Sequence, residues 1–287
     1  MKLTDKFAVI TGASQGLGMA IARRFVQEDA NVLLCARTAN DLEAAAAQLR
    51  ATAGPGVSVL AEAADVSSKA DVDRLVEKVH QHFGKLDILI SNAGVVGPKG
   101  ASEQVDWDDW SRTISINLLG TVLCCRAFLP MLRQSSQGKI VLLSGGGATK
   151  PMPYFSAYAA SKAAVVRFGE TLAEELRETG VDVNCVAPGA LNTRMLEEVL
   201  AAGPEKVGRS YYEASVRQKE SGGASIDRAA DLCVYLASSA SDGITGKLIS
   251  AVWDPWTDFA EHRQELQKTD IYTLRRVVPS ERGMNWG

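Results

Sequence analysis

Metal ligands, paired cysteines and strong charge are scarce in this chain of 287 residues. Its three histidines, His80, His82 and His262, have no partners at ligand spacing, so we expect no metal site. The five cysteines form no C-x-x-C pair and are predicted to be reduced residues of apolar segments. A formal net charge of -3 offers no attraction to phosphate backbones or anionic membranes. Nucleic acid is therefore not an expected partner.

Long apolar runs are also lacking. We find no run of the roughly 18 apolar residues that a membrane span needs. Residues 1–6 lead directly into a strand-like segment without a signal-peptide core. A cytoplasmic protein without a membrane partner is therefore expected. Because 46% of the residues are hydrophobic, the chain can form one sizeable α/β domain or two small ones.

Short β-branched runs alternate with longer amphipathic runs, a pattern typical of repeated β-α units around a parallel sheet. Most short runs are apolar without alternation, as expected for strands buried on both faces. The predicted strands are 7–11, 32–36, 57–63, 88–91, 140–143, 183–187 and 248–251. The predicted helices are 18–28, 40–52, 69–83, 107–133, 157–178 and 228–238. This order predicts an α/β, doubly wound fold with a seven-stranded parallel sheet.

Two regions depart from the alternating pattern. Residues 190–225 form a long connection, and a connection of that length inside a compact domain is usually functional or mobile. Residues 253–287 form a polar, aromatic extension in which a short helix is predicted over 257–267. Since no linker composition occurs before residue 250, we predict one domain over 1–252 and an ordered extension over 253–287 that packs on it or on a neighbouring subunit.

A glycine-rich turn follows the first predicted strand and opens the first predicted helix. It reads Gly12-Ala13-Ser14-Gln15-Gly16-Leu17-Gly18. Glycines let the backbone turn tightly and approach a ligand, while the helix N-terminus offers unpaired N–H groups to a pyrophosphate. The position after the first strand of a doubly wound sheet therefore predicts a dinucleotide-binding turn.

Tyr158 and Lys162 are four residues apart on a predicted helix, so their side chains lie on one face. A nearby ammonium group favours the phenolate and would lower the pKa of Tyr158 from its ordinary value near ~10. The pair can then exchange a proton with a carbonyl or alcohol oxygen.

The order of these motifs resembles the short-chain dehydrogenase/reductase family over residues 6–251. The resemblance rests on the glycine turn, Asp65-Val66, Asn92-Ala93-Gly94, Asn117, Tyr158-x-x-x-Lys162 and Pro188-Gly189. It implies a Rossmann fold and a nicotinamide cofactor. The cofactor-binding residues it implies, with those of the glycine turn and the second strand end, are Gly12, Ser14, Gln15, Gly16, Leu17, Gly18, Arg37, Thr38, Asp65, Val66, Asn92, Ala93, Gly94, Tyr158, Lys162, Pro188, Gly189 and Thr193.

The same resemblance implies the catalytic residues Asn117, Ser144, Tyr158 and Lys162. Tyr158 would be the acid/base, Lys162 would lower its pKa and hold the ribose, and Asn117 would anchor a proton-relay water. Relatives commonly have paired serines at the end of the fifth strand, but Gly145 stands in the second place here. Ser144 is the favoured replacement, with a backbone N–H or Ser156 as alternatives. The glycine run after Ser144 is also expected to make room for a bulky or polar substrate.

The second strand ends in Arg37-Thr38 without an acid that would accept ribose hydroxyls. A guanidinium suits a 2′-phosphate, so NADP(H) is favoured over NAD(H). Gln15 does not supply a second cation.

The expected partner is a small hydroxyl or carbonyl compound. The polar residues of 190–225 could contact such a substrate if the substrate is hydroxylated or anionic. The tail would complete the pocket and supply arginines. By resemblance the protein is expected to form a homodimer or homotetramer.

We predict an oxidoreductase acting on a secondary alcohol or ketone. An epimerase or dehydratase with a transiently used cofactor, or a non-catalytic NADP-binding sensor, are the alternatives.

Overall fold

Seven short apolar runs form the strands of a single parallel sheet. The structure is a computed structural model, and it describes residues 1–286. The predicted order of seven strands is confirmed, with ends that shift by up to two residues. The strands are β1 (Phe7–Thr11), β2 (Asn31–Ala36), β3 (Val59–Ala63), β4 (Ile88–Ser91), β5 (Gly138–Leu143), β6 (Val181–Ala187) and β7 (Lys247–Ser250).

The strand order across the sheet is β3-β2-β1-β4-β5-β6-β7, and every neighbouring pair is parallel. The order therefore reverses direction between β1 and β4. In such sheets a ligand binds outside the carboxyl ends of the strands at that reversal.

Helices cover both faces of the sheet. They are α1 (Gly16–Gln27), α2 (Ala39–Arg50), α3 (Lys69–His82), α4 (Trp107–Ile114), α5 (Gly120–Leu132), α6 (Ser156–Glu175), α7 (Arg194–Ala202), α8 (Pro204–Val207), α9 (Arg209–Ser221), α10 (Ile226–Ala237) and α11 (Arg263–Lys268). Side-chain caps begin α3, α4 and α10, where Ser68, Asp106 and Ser225 accept a backbone N–H of the first turn. The predicted helix over 107–133 is continuous except that its middle, Ser115–Leu119, is π-helical.

Two apolar cores lie on opposite faces of the sheet. Ile10 and Leu34 belong to one core, while their neighbours Val9 and Leu33 belong to the other, and all four are fully buried. Successive strand residues point to opposite faces. The continuous apolar strands are therefore explained by burial on both sides.

Residues Trp107–Leu132 include one apolar stretch that our sequence analysis passed over. Its most apolar 18-residue window has a mean hydropathy of 1.6, which is enough by length and composition to cross a membrane, and 39% of that window is buried. Phe128 and Asn117 on this helix are completely buried in the domain. A core helix has the same composition, so one such helix is weak evidence for a membrane span.

The long connection over 190–225 contains regular structure that sequence reasoning did not assign. It forms α7, α8 and α9, which pack on one another. Gly203 and Gly208, with φ of +78° and +79°, separate these helices. We call residues 190–225 the lid segment because its helices border the groove described below.

The C-terminal tail, residues 253–286, packs on the domain. Trp256, Phe259 and Leu266 are buried and belong to the same core as β1. The Leu248 amide of β7 donates to the Tyr272 carbonyl at 2.8 Å. The predicted helix over 257–267 is a 3-10 turn, Trp256–Asp258, followed by α11. Gly287, the end of the predicted extension, lies outside the described residues.

Candidate active site

The carboxyl edge of the sheet gathers the predicted cofactor residues. The glycine turn joins β1 to α1, and the segments after β2, β3, β4 and β6 supply the others. Thr193, which precedes α7, comes close to the glycine turn: a Cβ placed on Gly16 would lie 3.7 Å from Thr193 Cγ2. The fold therefore brings residues almost 180 positions apart to one edge.

The glycine turn has the shape its sequence requires. Gly12 has a φ of +65°, which favours glycine. A Cβ on Gly18 would lie 2.2 Å from the Gly12 carbonyl oxygen, so the turn can close only without a side chain there. Asn92 holds the turn by donating through Nδ2 to the carbonyls of Thr11 and Gly12 at 2.9 and 3.1 Å. Asn92 thereby ties β4 to the turn after β1.

Thr11 is a positioning residue that our sequence analysis did not single out. Its hydroxyl accepts the backbone N–H groups of Asn92 and Ala93, both at 3.0 Å. The signal available in the sequence was a buried hydroxyl at the last position of an otherwise apolar strand. Such a group needs a hydrogen-bond partner.

Arg37 and Thr38 lie exposed after β2. Arg37 lines a groove of about 880 Å³, and none of the described residues forms an ion pair with it. Thr38 occupies the N-cap position of α2 without a side-chain cap. After β3, the Asp65 carboxylate accepts from the Ser67 amide and hydroxyl at 2.9 and 2.6 Å, and buried Val66 packs against Gly120.

Tyr158 and Lys162 lie one turn apart on α6, as the spacing predicts. Lys162 is 5% exposed and its Nζ donates to the Leu143 carbonyl at the end of β5 at 2.8 Å. The same Nζ lies 5.8 Å from the centre of the Tyr158 ring. Lys162 thus connects the helix to the sheet edge beside Tyr158.

The expected lowering of the Tyr158 pKa is wrong for this arrangement. Burial, with a smaller contribution from Tyr211, raises the pKa of Tyr158 to about 12. Burial also lowers the pKa of Lys162 to about 8. Desolvation outweighs the attraction between the two groups because neither charged form is well hydrated at this depth. Tyr158 is therefore held in its protonated form.

Asn117 is fully buried in the π-helical turn, where the extra residue per turn directs it inward. Its Oδ1 accepts the Val95 amide at 2.8 Å, and its Nδ2 donates to the Val95 carbonyl at 2.9 Å and to Ser161 Oγ at 3.0 Å. Asn117 therefore links the loop after β4 to the helix that carries Tyr158.

Ser144 and Ser156 are the two serines that could replace the missing serine at position 145, and each already forms a hydrogen bond within the protein. Ser144 is buried and its Oγ donates to the Lys162 carbonyl at 3.4 Å, a long contact. Ser156 Oγ accepts the Trp110 indole N–H at 3.1 Å.

The glycine run after Ser144 is largely filled by the protein's own side chains. A Cβ on Gly145 would lie 2.6 Å from the Tyr158 hydroxyl oxygen, and a Cβ on Gly147 would lie 2.9 Å from Met152 Sδ. Only Gly146 faces open space. The expectation that the run makes room for a substrate is therefore wrong at Gly145 and Gly147, where Tyr158 and Met152 use that room.

The large groove lies between the loop after β4 and the lid segment. Lys99, Arg112 and Lys206 line it together with Asp106, Asp109, Glu198 and Glu205. Lys99 Nζ approaches Glu198 Oε2 at 3.6 Å and so bridges the two sides. The groove therefore carries charges of both signs.

Within the described residues 1–286, no residue of the tail lines this groove. Arg275 pairs with Asp270 and Glu281 inside the tail. Lys247 of β7 donates to the Thr269 and Ile271 carbonyls at 2.8 and 3.0 Å. The tail is bound at the far sheet edge, and the expectation that it completes the substrate pocket and supplies arginines stays a prediction.

Comparison with known proteins identifies the class to which this fold and site belong. The family model described as short chain dehydrogenase matches residues 6–203. The chain is a member of the short-chain dehydrogenase/reductase family of oxidoreductases, and the predicted family is confirmed.

The relatives in this family differ in the substrates and cofactors that their names give. The chain is 34% identical over 258 residues to the (2S)-[(R)-hydroxy(phenyl)methyl]succinyl-CoA dehydrogenase subunit BbsD of Thauera aromatica, which covers 87% of this chain and 96% of that protein. The structure of L-sorbose reductase from Gluconobacter frateurii with NADPH and L-sorbose has a TM-score of 0.78 and 31% identity, over 87% of this chain and 96% of that one. NAD+-bound xylitol dehydrogenase has a TM-score of 0.80 and 26% identity, over 87% and 98%.

Proposed function

We propose that this protein is an NAD(P)-dependent oxidoreductase that interconverts a secondary alcohol and a ketone, with Tyr158 as the general acid/base. The observation that carries this proposal is the placement of Tyr158 and Lys162 at the carboxyl edge of β5, with the Lys162 ammonium bound to Leu143. Asn117 joins the same helix to the loop after β4.

The glycine turn fits a dinucleotide. Its glycines let the backbone close tightly at Gly12 and Gly18, and it opens the N-terminus of α1, where unpaired N–H groups can bind a pyrophosphate. Asp65, Val66, Asn92, Ala93, Gly94, Pro188, Gly189 and Thr193 would border the cofactor with Ser14, Gln15 and Leu17. A bound dihydronicotinamide supplies a hydride to carbon.

The residues of the chain then manage the proton. A phenol is protonated at neutral pH, and burial raises the pKa of Tyr158 further, to about 12, so Tyr158 can donate to the oxygen of a ketone. Lys162 stabilises the charge that develops on the phenol oxygen. Asn117 positions the helix and, as in the family, would anchor a water that returns the proton. In the reverse direction the phenolate form of Tyr158 accepts the proton of the alcohol.

Replacing Tyr158 with phenylalanine tests the proposed role. We expect Tyr158→Phe to retain cofactor binding and to lose about 10²–10⁴-fold in turnover, because only the acid/base group is removed. Tyr272→Phe, in the tail, is the matched control and should leave turnover unchanged. Full activity of Tyr158→Phe would refute the mechanism. Net cofactor oxidation measured in the same assay separates this function from epimerisation or dehydration.

We further propose that NADP(H) is preferred over NAD(H). Exposed Arg37, for which no ion-pair partner is found among residues 1–286, supports this because a guanidinium can bind a 2′-phosphate bidentately. Arg37→Asp should shift the ratio of kcat/KM values toward NADH. Arg276→Asp makes the same charge change on the exposed tail and should leave the ratio unaltered. An unchanged ratio in Arg37→Asp would overturn the assignment.

We also propose a homodimer or homotetramer that uses the face of α4, α5 and α6. Trp107 of α4 and Leu119 of the π-helical turn before α5 are 70% and 55% exposed, and large exposed apolar side chains favour an interface. Sedimentation of Leu119→Glu, compared with the unaltered protein, tests this, since dissociation is the expected result. A cytoplasmic location stays a prediction, supported by five free, buried cysteines.

A further inference from the structure

A small apolar cluster lies at Tyr158, separate from the two large cores. Its buried members are Val96, Phe155, Val199 and Val207, and the residues packed against them are Met152, Tyr158, Met195, Ala202 and Tyr212. They come from the loop after β4, the turn before α6 and the three helices of the lid segment. The lid segment therefore places hydrocarbon surface around the side chain that would exchange the proton.

Several polar side chains of the lid segment and of the first turn of α6 bond within the protein. Asn192 and Gln218 bond to each other at 3.3 Å, and Asn192 also donates to the Gln218 and Lys219 carbonyls. Ser156 accepts from Trp110 at 3.1 Å. Gly145 offers no hydroxyl. On this cluster the hydroxyl groups of a polyol would meet mainly hydrocarbon, because Tyr158 and Tyr212 are its only members with a hydroxyl. Burying unpaired polar groups is unfavourable.

The floor of the site is apolar as well. Met152 Sδ closes over Gly147, and Tyr158 closes over Gly145, so the glycine run admits a thioether and a phenol ring rather than polar ligands. Methionine and aromatic side chains adapt well to flat hydrocarbon surfaces. The groove meets this cluster at Ala202, and its charged groups, including Lys99 and Arg112, line the groove beyond that point.

On the basis of the function proposed above, we infer that the substrate is a hydrophobic ketone or secondary alcohol whose hydrocarbon body packs on Met152, Met195 and Tyr212. Its oxygen lies at Tyr158. In reduction the carbonyl carbon gains a hydride from NAD(P)H, the carbonyl π electrons move to oxygen, and oxygen takes the Tyr158 proton. The products are the alcohol and NAD(P)+. This class differs from the hydroxylated or anionic substrate expected from the sequence, and from the sugar in the L-sorbose reductase structure.

A matched pair of ketones tests the inference. We would measure kcat/KM for 1-decalone and for L-sorbose with NADPH and with NADH. The kcat/KM for the bicyclic ketone should exceed that for the sugar by at least about 100-fold, because most of the sugar hydroxyls would face hydrocarbon side chains of the cluster. A higher kcat/KM for L-sorbose would overturn the inference while leaving the proposed oxidoreductase intact.

A near-isosteric variant tests the placement. Met195→Gln adds an amide to the cluster and should lower kcat/KM for 1-decalone by about 10-fold, mainly through KM, with cofactor binding unchanged. Met284→Gln, at a half-exposed tail position, makes the same change away from the site and should have no effect. Equal kinetics of Met195→Gln and the unaltered protein would overturn the placement.

A binding measurement separates this inference from the proposed function. Calorimetry of Tyr158→Phe with bound cofactor should show binding of 1-decalone and at least about 100-fold weaker binding of L-sorbose. That result supports the substrate class even if the unaltered protein turns over neither ketone, an outcome that would refute only the proposed reaction. Tighter binding of L-sorbose would overturn the inference.

Discussion

The lid segment and the tail both cover α6, at different ends. The lid segment packs on the cluster that contains Tyr158, near the start of the helix. The tail is bound near its far end, where Arg167 donates to the Leu274 carbonyl and Glu170 Oε1 accepts the Leu274 amide at 2.6 Å. One helix is therefore shared between a segment that borders the site and a segment that does not.

The two segments are attached by different means. Trp256, Phe259 and Leu266 join the tail to a main core. A backbone hydrogen bond from Leu248 to Tyr272 and the side chain of Lys247 attach the tail to the edge of β7. An open strand edge would otherwise be available for pairing with another chain. The lid segment rests on a small separate cluster and contains left-handed glycines at its helix junctions. Tail contacts should thus affect folding stability, and lid contacts should affect substrate binding, since weakly anchored segments open most easily.

Trp256→Ala is expected to have the largest effect, about 3–5 kcal/mol lower free energy of unfolding, because a large buried ring is removed from the core. Its indole N–H also donates to the Ala251 carbonyl at 3.2 Å. Denaturant unfolding measures the loss. Trp253→Ala, at a side chain 84% exposed, is the matched control with almost no change. If KM changed by a factor equivalent to the lost free energy of unfolding, the conclusion that tail contacts act on stability rather than on substrate binding would be contradicted.

Lys162→Met should act in the opposite direction, because the lysine is kept for function at a cost in stability. Burial lowers the pKa of Lys162 from 10.5 to about 8. Below pH 8 the folded state must bury the charge, and the stability of the unaltered protein rises from about pH 8 toward pH 10.5 as the folded state releases its proton first. We expect the variant to be about 1–4 kcal/mol more stable at pH 7, with a gain that shrinks over that window.

Unfolding measured at pH 7 and pH 10 provides the comparison for Lys162→Met. Lys69→Met is the control, because the Lys69 side chain is 76% exposed. Its free energy of unfolding should differ from that of the unaltered protein by the same amount at both pH values. A pH-independent gain for Lys162→Met would show that burial of charge is not the cause.

Gly208→Ala tests the lid junction. Gly208 has a φ of +79°, and an added Cβ would lie 2.8 Å from Tyr154 Cε2. A φ of +79° with a ψ of 136° is a backbone conformation adopted almost only by glycine, and alanine there costs on the order of 1–3 kcal/mol. The contact should also displace α9 and raise KM. Gly203→Ala has a φ of +78° and nothing within 4 Å of its Cβ, so it isolates the strain from the contact. Identical KM values for both variants would remove the role of the Tyr154 contact.

Lys99→Met should have the smallest effect. The pair between Lys99 and Glu198 is long, at 3.6 Å, and Glu198 is half exposed, so about 0.2–1 kcal/mol is at stake in closing the groove. We expect a slight rise in KM that disappears when the ionic strength is raised. A rise that persists at high salt would indicate a direct contact between Lys99 and the substrate.

The fold was largely predictable from the sequence. Continuous apolar strands, the glycine turn and the order of the motifs predicted seven parallel strands, and strand ends moved by two residues at most. The lid helices were missed because α7 and α8 are short and separated by glycines, which read as loop signals. The tail was predicted to be ordered, but its position was not, since aromatic content does not specify which surface it meets.

The sequence by itself determined the family, the sheet and the identity of the candidate groups, because residue spacing along strands and helices decides which side chains share an edge or a face. Tertiary structure alone decided their environment. The raised pKa of Tyr158, the filling of space at Gly145 and Gly147, the apolar cluster under the lid segment and the tail on β7 all arise from contacts between residues distant in the chain. Burial sets these properties, and burial is a property of the folded molecule.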